Sequence, residues 1–217
     1  RLTEAHLRAI IAAALAHPKR NNLPDRPARA LGFASAPIFA PDGRAVLSAG
    51  YDATLRRWPL DGAGASSVTL AAPLNAVAVA PDGSAILAGA DGRLHFVDAA
   101  MEKAGDIEAL ATPVTSLALS PDGRRIAAAG LRGAVVLVDR SSRAIADTLV
   151  GPGLPVWSLA FGHDGRVLYT GGADRLVRRW DAATGRPIDP VVPEPRETAE
   201  SSERGAVVVR ARRGCHT

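Results

Sequence analysis

With 217 residues, 47% of them hydrophobic, the chain is long enough to bury a core and too apolar to be disordered throughout. A formal net charge of +4, spread along the chain with aromatics at only 4%, lacks the clustered basic and aromatic footprint of a nucleic-acid surface, so no nucleic acid is expected among its partners. The single cysteine, Cys215, excludes an intramolecular disulfide framework, and no apolar run is long enough to span a bilayer as a helix.

Arginine carries nearly all the positive charge, lysine occurring only at Lys19 and Lys103. The excess of Ala, Arg, Gly and Pro reads as GC-rich bacterial coding rather than as a functional signal. The sequence opens on Arg1 and closes inside what reads as a motif, so a fragment of a longer protein is expected.

Residues 1–35 read as a helix and a loop. A short helix is predicted over 3–16, with Thr3 as its cap and Leu7, Ile10, Ile11 and Leu15 at helical spacing, ended by Pro18. Three readings stay open: a helix at the edge of a fragment, the remnant of a signal peptide, or a misread frame upstream of the repeats. The apolar run AIIAAALA and Ala14-Leu15-Ala16 suit a signal peptide, whereas Glu4 stands where its basic region belongs.

Residues 36–192 are organised by a repeat. Segments 37–61, 73–98, 113–139 and 155–181 align, with turns APDG, APDG, SPDG and GHDG. The central aspartates Asp42, Asp82, Asp122 and Asp164 are 40, 40 and 42 residues apart. That period, about 40 to 45 residues, suits a four-stranded propeller blade as well as some helical solenoids. Content decides for strands: VTSLALS alternates at period two, PDG turns, RRIAAAG follows, LRG turns again, and AVVLVD closes. A fourth strand fits between repeats at SVTLAA, DIEALA and ADTLVG. The expected fold is all-β, a propeller of four-stranded antiparallel blades. About four repeats are present, making a partial propeller preceded by the short helix. The four aspartates are expected to be structural turn residues, with the following glycines supplying positive backbone angles.

VWSLAFGHDGRVLYTGGADRLVRRWDAATGRPI, with its closing Trp180-Asp181, resembles a blade of the WD-repeat β-propeller family. Trp58 closes the first repeat as Trp-Pro, and Val97-Asp98 and Val138-Asp139 replace Trp-Asp in the middle two. The blade-opening Gly-His of that family is missing from every repeat, which removes the histidine of its side-chain network. Asp52, Asp91 and Asp174 occupy the family's tight-turn position, where the third repeat has Arg132. The resemblance implies a non-catalytic scaffold for protein–protein interaction, and a native ring of about seven blades. The tryptophans are expected to be packing anchors; the tryptophans, arginines and Tyr51 near strand ends are also candidate contacts for a protein partner.

Residues 193–217 read as a linker and a truncated start. RPIDPVVPEPRETAESSE is rich in Pro, Glu and Ser, as extended linkers are. The following ERGAVVVRARRGCHT resembles the opening of a class I cytochrome c domain, with Cys215-His216 as the second half of a CxxCH haem-attachment motif. Arg212 stands where the first cysteine belongs. The resemblance implies no cofactor for the residues present here and haem c in an intact propeller–cytochrome fusion. That fusion would be an electron-transfer protein of the periplasm; otherwise a cytoplasmic protein is expected.

No catalytic or metal constellation emerges. His6, His17, His95, His163 and His216 are far apart in sequence, and nucleophile elbow, phosphate loop and HExxH are all missing. The expectation is therefore no enzyme and no metal. The alternative is an active site gathered at the propeller channel from several blades, which spacing cannot reveal.

Overall fold

The computed structural model describes residues 37–151 and 153–188. The helix expected over 3–16, the Pro/Glu/Ser-rich stretch beyond Ile188 and Cys215-His216 all lie outside them, while Arg186, Pro187 and Ile188, read from sequence as the start of that stretch, are described. Among the described residues every regular element is a strand. β1 (Ile38–Phe39), β2 (Ala45–Ala49), β3 (Thr54–Pro59) and β4 (Ser66–Thr69) form one sheet, paired in chain order. β5 (Leu74–Val79), β6 (Ala85–Gly89), β7 (Arg93–Val97) and β8 (Lys103–Glu108) form the second. β9 (Val114–Leu119), β10 (Arg125–Gly130), β11 (Ala134–Asp139) and β12 (Ile145–Val150) form the third. β13 (Val156–Phe161), β14 (Val167–Gly172) and β15 (Val177–Asp181) form the fourth. All pairings are antiparallel, so each sheet is a meander.

The segments predicted to lie between repeats are the outermost strands of the preceding sheet: β4, β8 and β12 pair with β3, β7 and β11. In the fourth sheet three strands are described, where four are expected. Asp181 N–H donates to Arg186 O at 2.8 Å and Ile188 N–H to Arg179 O at 3.0 Å. Trp180 bridges Pro187 in the register in which Val138 pairs with Ile145, 42 residues earlier. A fourth strand thus begins in the repeat's register.

Each sheet stacks on the next, and three apolar clusters fill the spaces between them. Leu47, Leu55, Leu74 and Leu87 lie between the first and second sheets. Ile86, Leu94, Phe96, Ile126 and Val136 lie between the second and third. Ala127, Val135, Leu137, Leu168 and Trp180 lie between the third and fourth. β6 and β10 are buried on both faces, Ile126 and Ala128 facing one neighbour and Ala127 and Ala129 the other. Their near-continuous apolar sequences AILAG and IAAAG follow from that double burial. Coding bias is therefore an incomplete account of the alanine: at Ala127, Ala128 and Ala129 it is the small side chain that lets successive sheets approach. The first strands pack side by side, β9 against both β5 and β13. The result is a partial β-propeller.

Candidate functional site

Short turns divide the molecule into two rims with different chemistry. One rim holds the turns after the first and third strands of each sheet, tied together by Leu60 N–H to Arg44 O, Arg140 N–H to Arg124 O and Ala182 N–H to Arg166 O, each 2.8 Å. The other holds the turns between second and third strands and the connections from sheet to sheet. These are tied by Leu70 N–H to Ala53 O at 2.7 Å, and by Ala90 N–H to Pro73 O and Ala173 N–H to Pro155 O, both 2.8 Å.

Acids and arginines share the first rim, and most of the acids are engaged in its turns. Asp42, Asp82, Asp122 and Asp164 each accept the backbone N–H two residues on at 2.9–3.0 Å, and Gly43, Gly83, Gly123 and Gly165 follow with positive φ. Asp82 also receives the guanidinium of Arg140 from the neighbouring sheet, which holds its carboxyl down at about 2. The Ser120 hydroxyl and the Arg124 N–H lower Asp122. Asp139 accepts the Ser141 and Ser142 hydroxyls and the Ser142 N–H, and lies at about 2. Asp181 is lowered by the Thr184 N–H and hydroxyl, both of which it accepts. An aspartate at the end of the third strand thus caps the next turn, a role shared by Asp61 and Asp98 just past theirs. The sequence shows this acid in all four repeats, but the Trp-Asp pairing draws attention to the tryptophan instead.

The tryptophans closing the first and fourth repeats face inward along their sheets. Trp180 Nε1–H donates to Thr170 Oγ1 at 3.0 Å and is buried; Trp58 Nε1–H donates to Ser48 Oγ at 3.1 Å. This half of a side-chain network persists without any blade-opening histidine.

On the second rim the tight-turn acids pair locally. Asp52 accepts the Thr54 N–H and the Arg56 guanidinium, and Asp174 takes the Leu176 N–H and the Arg178 guanidinium. Asp91 accepts the Arg93 N–H and lies 3.4 Å from Nε2 of the buried His95. In the third sheet the equivalent pair is Arg132 and Val136, so Arg132 has no such partner.

Between these turns runs a groove of about 410 Å³, lined by Tyr51, Asn75, Ala90, Pro113, Thr115, Leu131 and Trp157. It draws residues from all four sheets. Tyr51 is 47% exposed, Leu131 38% and Trp157 55%. Its floor is latched between sheets: Asn75 Nδ2–H donates to Val114 O at 2.7 Å, and the Thr115 hydroxyl lies 2.7 Å from Val156 O. Trp157 follows Asn75 and Thr115 in the same place on the first strand, so an exposed indole replaces the latch in the fourth sheet. Of these residues, sequence reading singles out Tyr51 and the tryptophans. The series Asn75, Thr115, Trp157 is the signal that would have found the rest.

His95 is buried in β7 and His163 stands in the β13–β14 turn; among the described residues no three His, Cys, Asp or Glu side chains are grouped to hold a metal. No helix among them is long and apolar enough to cross a membrane.

The model of the WD domain, G-beta repeat, matches residues 108–139 and 145–181. No curated protein matches the chain. Solved structures that match it number 1528 chains, so likeness of fold singles out no function. One is a chain of a structure described as "Crystal Structure of Mitotic Checkpoint Complex", with a TM-score of 0.69 at 19% identity. The match covers 75% of this chain and 51% of that one, so the chain spans about half the length of that neighbour.

Proposed function

We propose that this protein, a partial propeller whose third and fourth repeats match the WD repeat, is a non-catalytic scaffold that binds a protein partner on its second rim. The observation that carries the reading is the groove between Tyr51 and Trp157. It is the place where large apolar side chains from several sheets stand exposed together, on turns held rigid by the sheets beneath. Its polar residues support binding rather than catalysis, since Asn75 and Thr115 are engaged in inter-sheet hydrogen bonds and the nearby aspartates in turn caps or ion pairs. Aromatic anchors in a shallow groove are what protein interfaces use at their centres. The test is a photo-crosslinking residue placed at position 157, and separately at position 166 on the opposite rim, in cells producing the protein. A discrete protein adduct from 157 and none from 166 is expected; adducts from 166 alone would refute the reading.

The tail favours a fuller version of the same reading. Cys215-His216, behind a Pro/Glu/Ser-rich stretch, supports a longer protein in which the propeller docks a partner for an attached c-type cytochrome in the periplasm. Cys215 would supply one thioether and His216 one axial ligand. With Arg212 at the other thiol position, the second thioether has no sulfur. The native full-length protein is expected to show covalent haem absorbance and a cysteine codon at position 212; a stop soon after Thr217 and no haem would refute it.

A further inference from the structure

The charges around the groove are asymmetric. The sheet-to-sheet connections 70–73, 109–113 and 151–155 contain no charged residue, so the rim's charge comes from its tight turns and from Glu108, which ends β8. There, Asp52 is neutralised by Arg56 and Asp174 by Arg178. Arg93 is neutralised by Asp106 on the neighbouring strand. Asp91 is held against His95 and its own turn. What remains is Arg132, next to the groove residue Leu131, and Arg175, in the turn beside the fourth sheet's first strand; neither has an acidic partner among the described residues.

From this we infer that the groove between Tyr51 and Trp157 takes an extended segment of a partner protein in which an apolar side chain is flanked by carboxylates. This rests on the scaffold reading and adds the chemistry of the partner. The apolar side chain lies between the two aromatic rings and Leu131, which removes all of them from water. The flanking acids meet Arg132 and Arg175, whose guanidinium groups can each bind a carboxylate in two-point fashion. A basic segment would meet two like charges, with Asp91, already engaged, and Glu108, on the outermost strand of the second sheet, as the acids that offset them. The opposite rim sets its arginines among turn acids, as in the pair Asp82–Arg140, and so, among the described residues, offers the same segment no comparable apolar groove flanked by cations without an acidic partner.

The test uses the full chain and three short fluorescent peptides with a Phe-Leu centre, flanked by glutamates, by glutamines or by lysines. Anisotropy titration at low salt is expected to give binding in the order glutamate, glutamine, lysine, with about tenfold or more between the first and last. Trp157→Ala is expected to weaken all three. Arg132→Glu is expected to weaken the glutamate peptide alone, about tenfold, and raising the salt to erase the preference. Equal binding of the three peptides, or preference for lysine, overturns the proposal. So does the failure of every peptide, or a concentration-dependent dimer whose formation buries Trp157. Those results leave the scaffold reading to stand or fall on the adduct at position 157.

Discussion

Asp82 sits on the β5–β6 turn and Arg140 just beyond β11, yet the guanidinium reaches across to both the carboxylate and the Ser84 hydroxyl. The folded carboxyl titrates at about 2 instead of 3.8, chiefly through that contact. A carboxylate whose folded pKa is depressed stabilises the fold fully above its unfolded value, and loses that stabilisation as pH falls toward the folded one. The contribution of Asp82 is therefore present above about pH 4 and drains away between there and about 2. Because the pair is solvent-exposed, the effect is small. Arg140→Ala is expected to lower urea stability slightly near neutrality, with the difference from the parent shrinking as pH falls from about 4 toward 2; a difference that does not change with pH would contradict the contact. Glycine gives a sharper contrast. Gly62 and Gly92 share a positive φ, but a Cβ at Gly62 meets nothing within 4 Å while one at Gly92 falls against Leu110 O. Gly62→Ala should cost about 1 kcal/mol of backbone strain. Gly92→Ala should cost at least about 2 kcal/mol more, because the sheet-to-sheet connection must shift, and urea melts of the two variants measure the difference.

At the scale of the strand, the repeat makes each position its own control. Val135 in β11 and Val177 in β15 are 42 residues apart and equivalent, but Val135 is 1% exposed and Val177 59%. The reason is the neighbour: the fourth sheet covers Val135, and no described sheet covers Val177. Val135→Ala is expected to lower stability by about 2 kcal/mol, from lost burial and an unfilled cavity. Val177→Ala should lie within about 0.5 kcal/mol of the parent. Similar losses at both would contradict the stacking. Strand order, turns and meander pairing were legible in the sequence because Asp-Gly turns and apolar runs are local signals. The turn role of Asp42, Asp82, Asp122 and Asp164 follows from the same local chemistry. The groove was legible only in part. Tyr51 stands out as an aromatic beside a turn, whereas Leu131 and Thr115 gain meaning from residues of other sheets about 40 positions away. Trp157 could be noticed, but its exposure depends on what stacks against the fourth sheet, which no local pattern encodes.

Across the whole molecule, the two rims divide the work of a repeat protein. The first concentrates turn acids and arginines in caps and inter-sheet contacts such as Asp82–Arg140 and Arg125 to Ala182 O, so its polarity is largely internal. The second leaves its connections uncharged and its large side chains exposed, with Arg132 and Arg175 lacking an acidic partner among the described residues. Stacked sheets hold both rims in place, so a partner can be bound without ordering a loop, which favours affinity. The most direct test of this division is the affinity of the partner captured at position 157 for single variants on each rim. Tyr51→Ala and Trp157→Ala are predicted to weaken it about tenfold or more each, while Arg124→Ala and Arg166→Ala leave it unchanged. Loss of binding from the second pair, with the first pair silent, would place the functional face on the opposite rim and contradict the account.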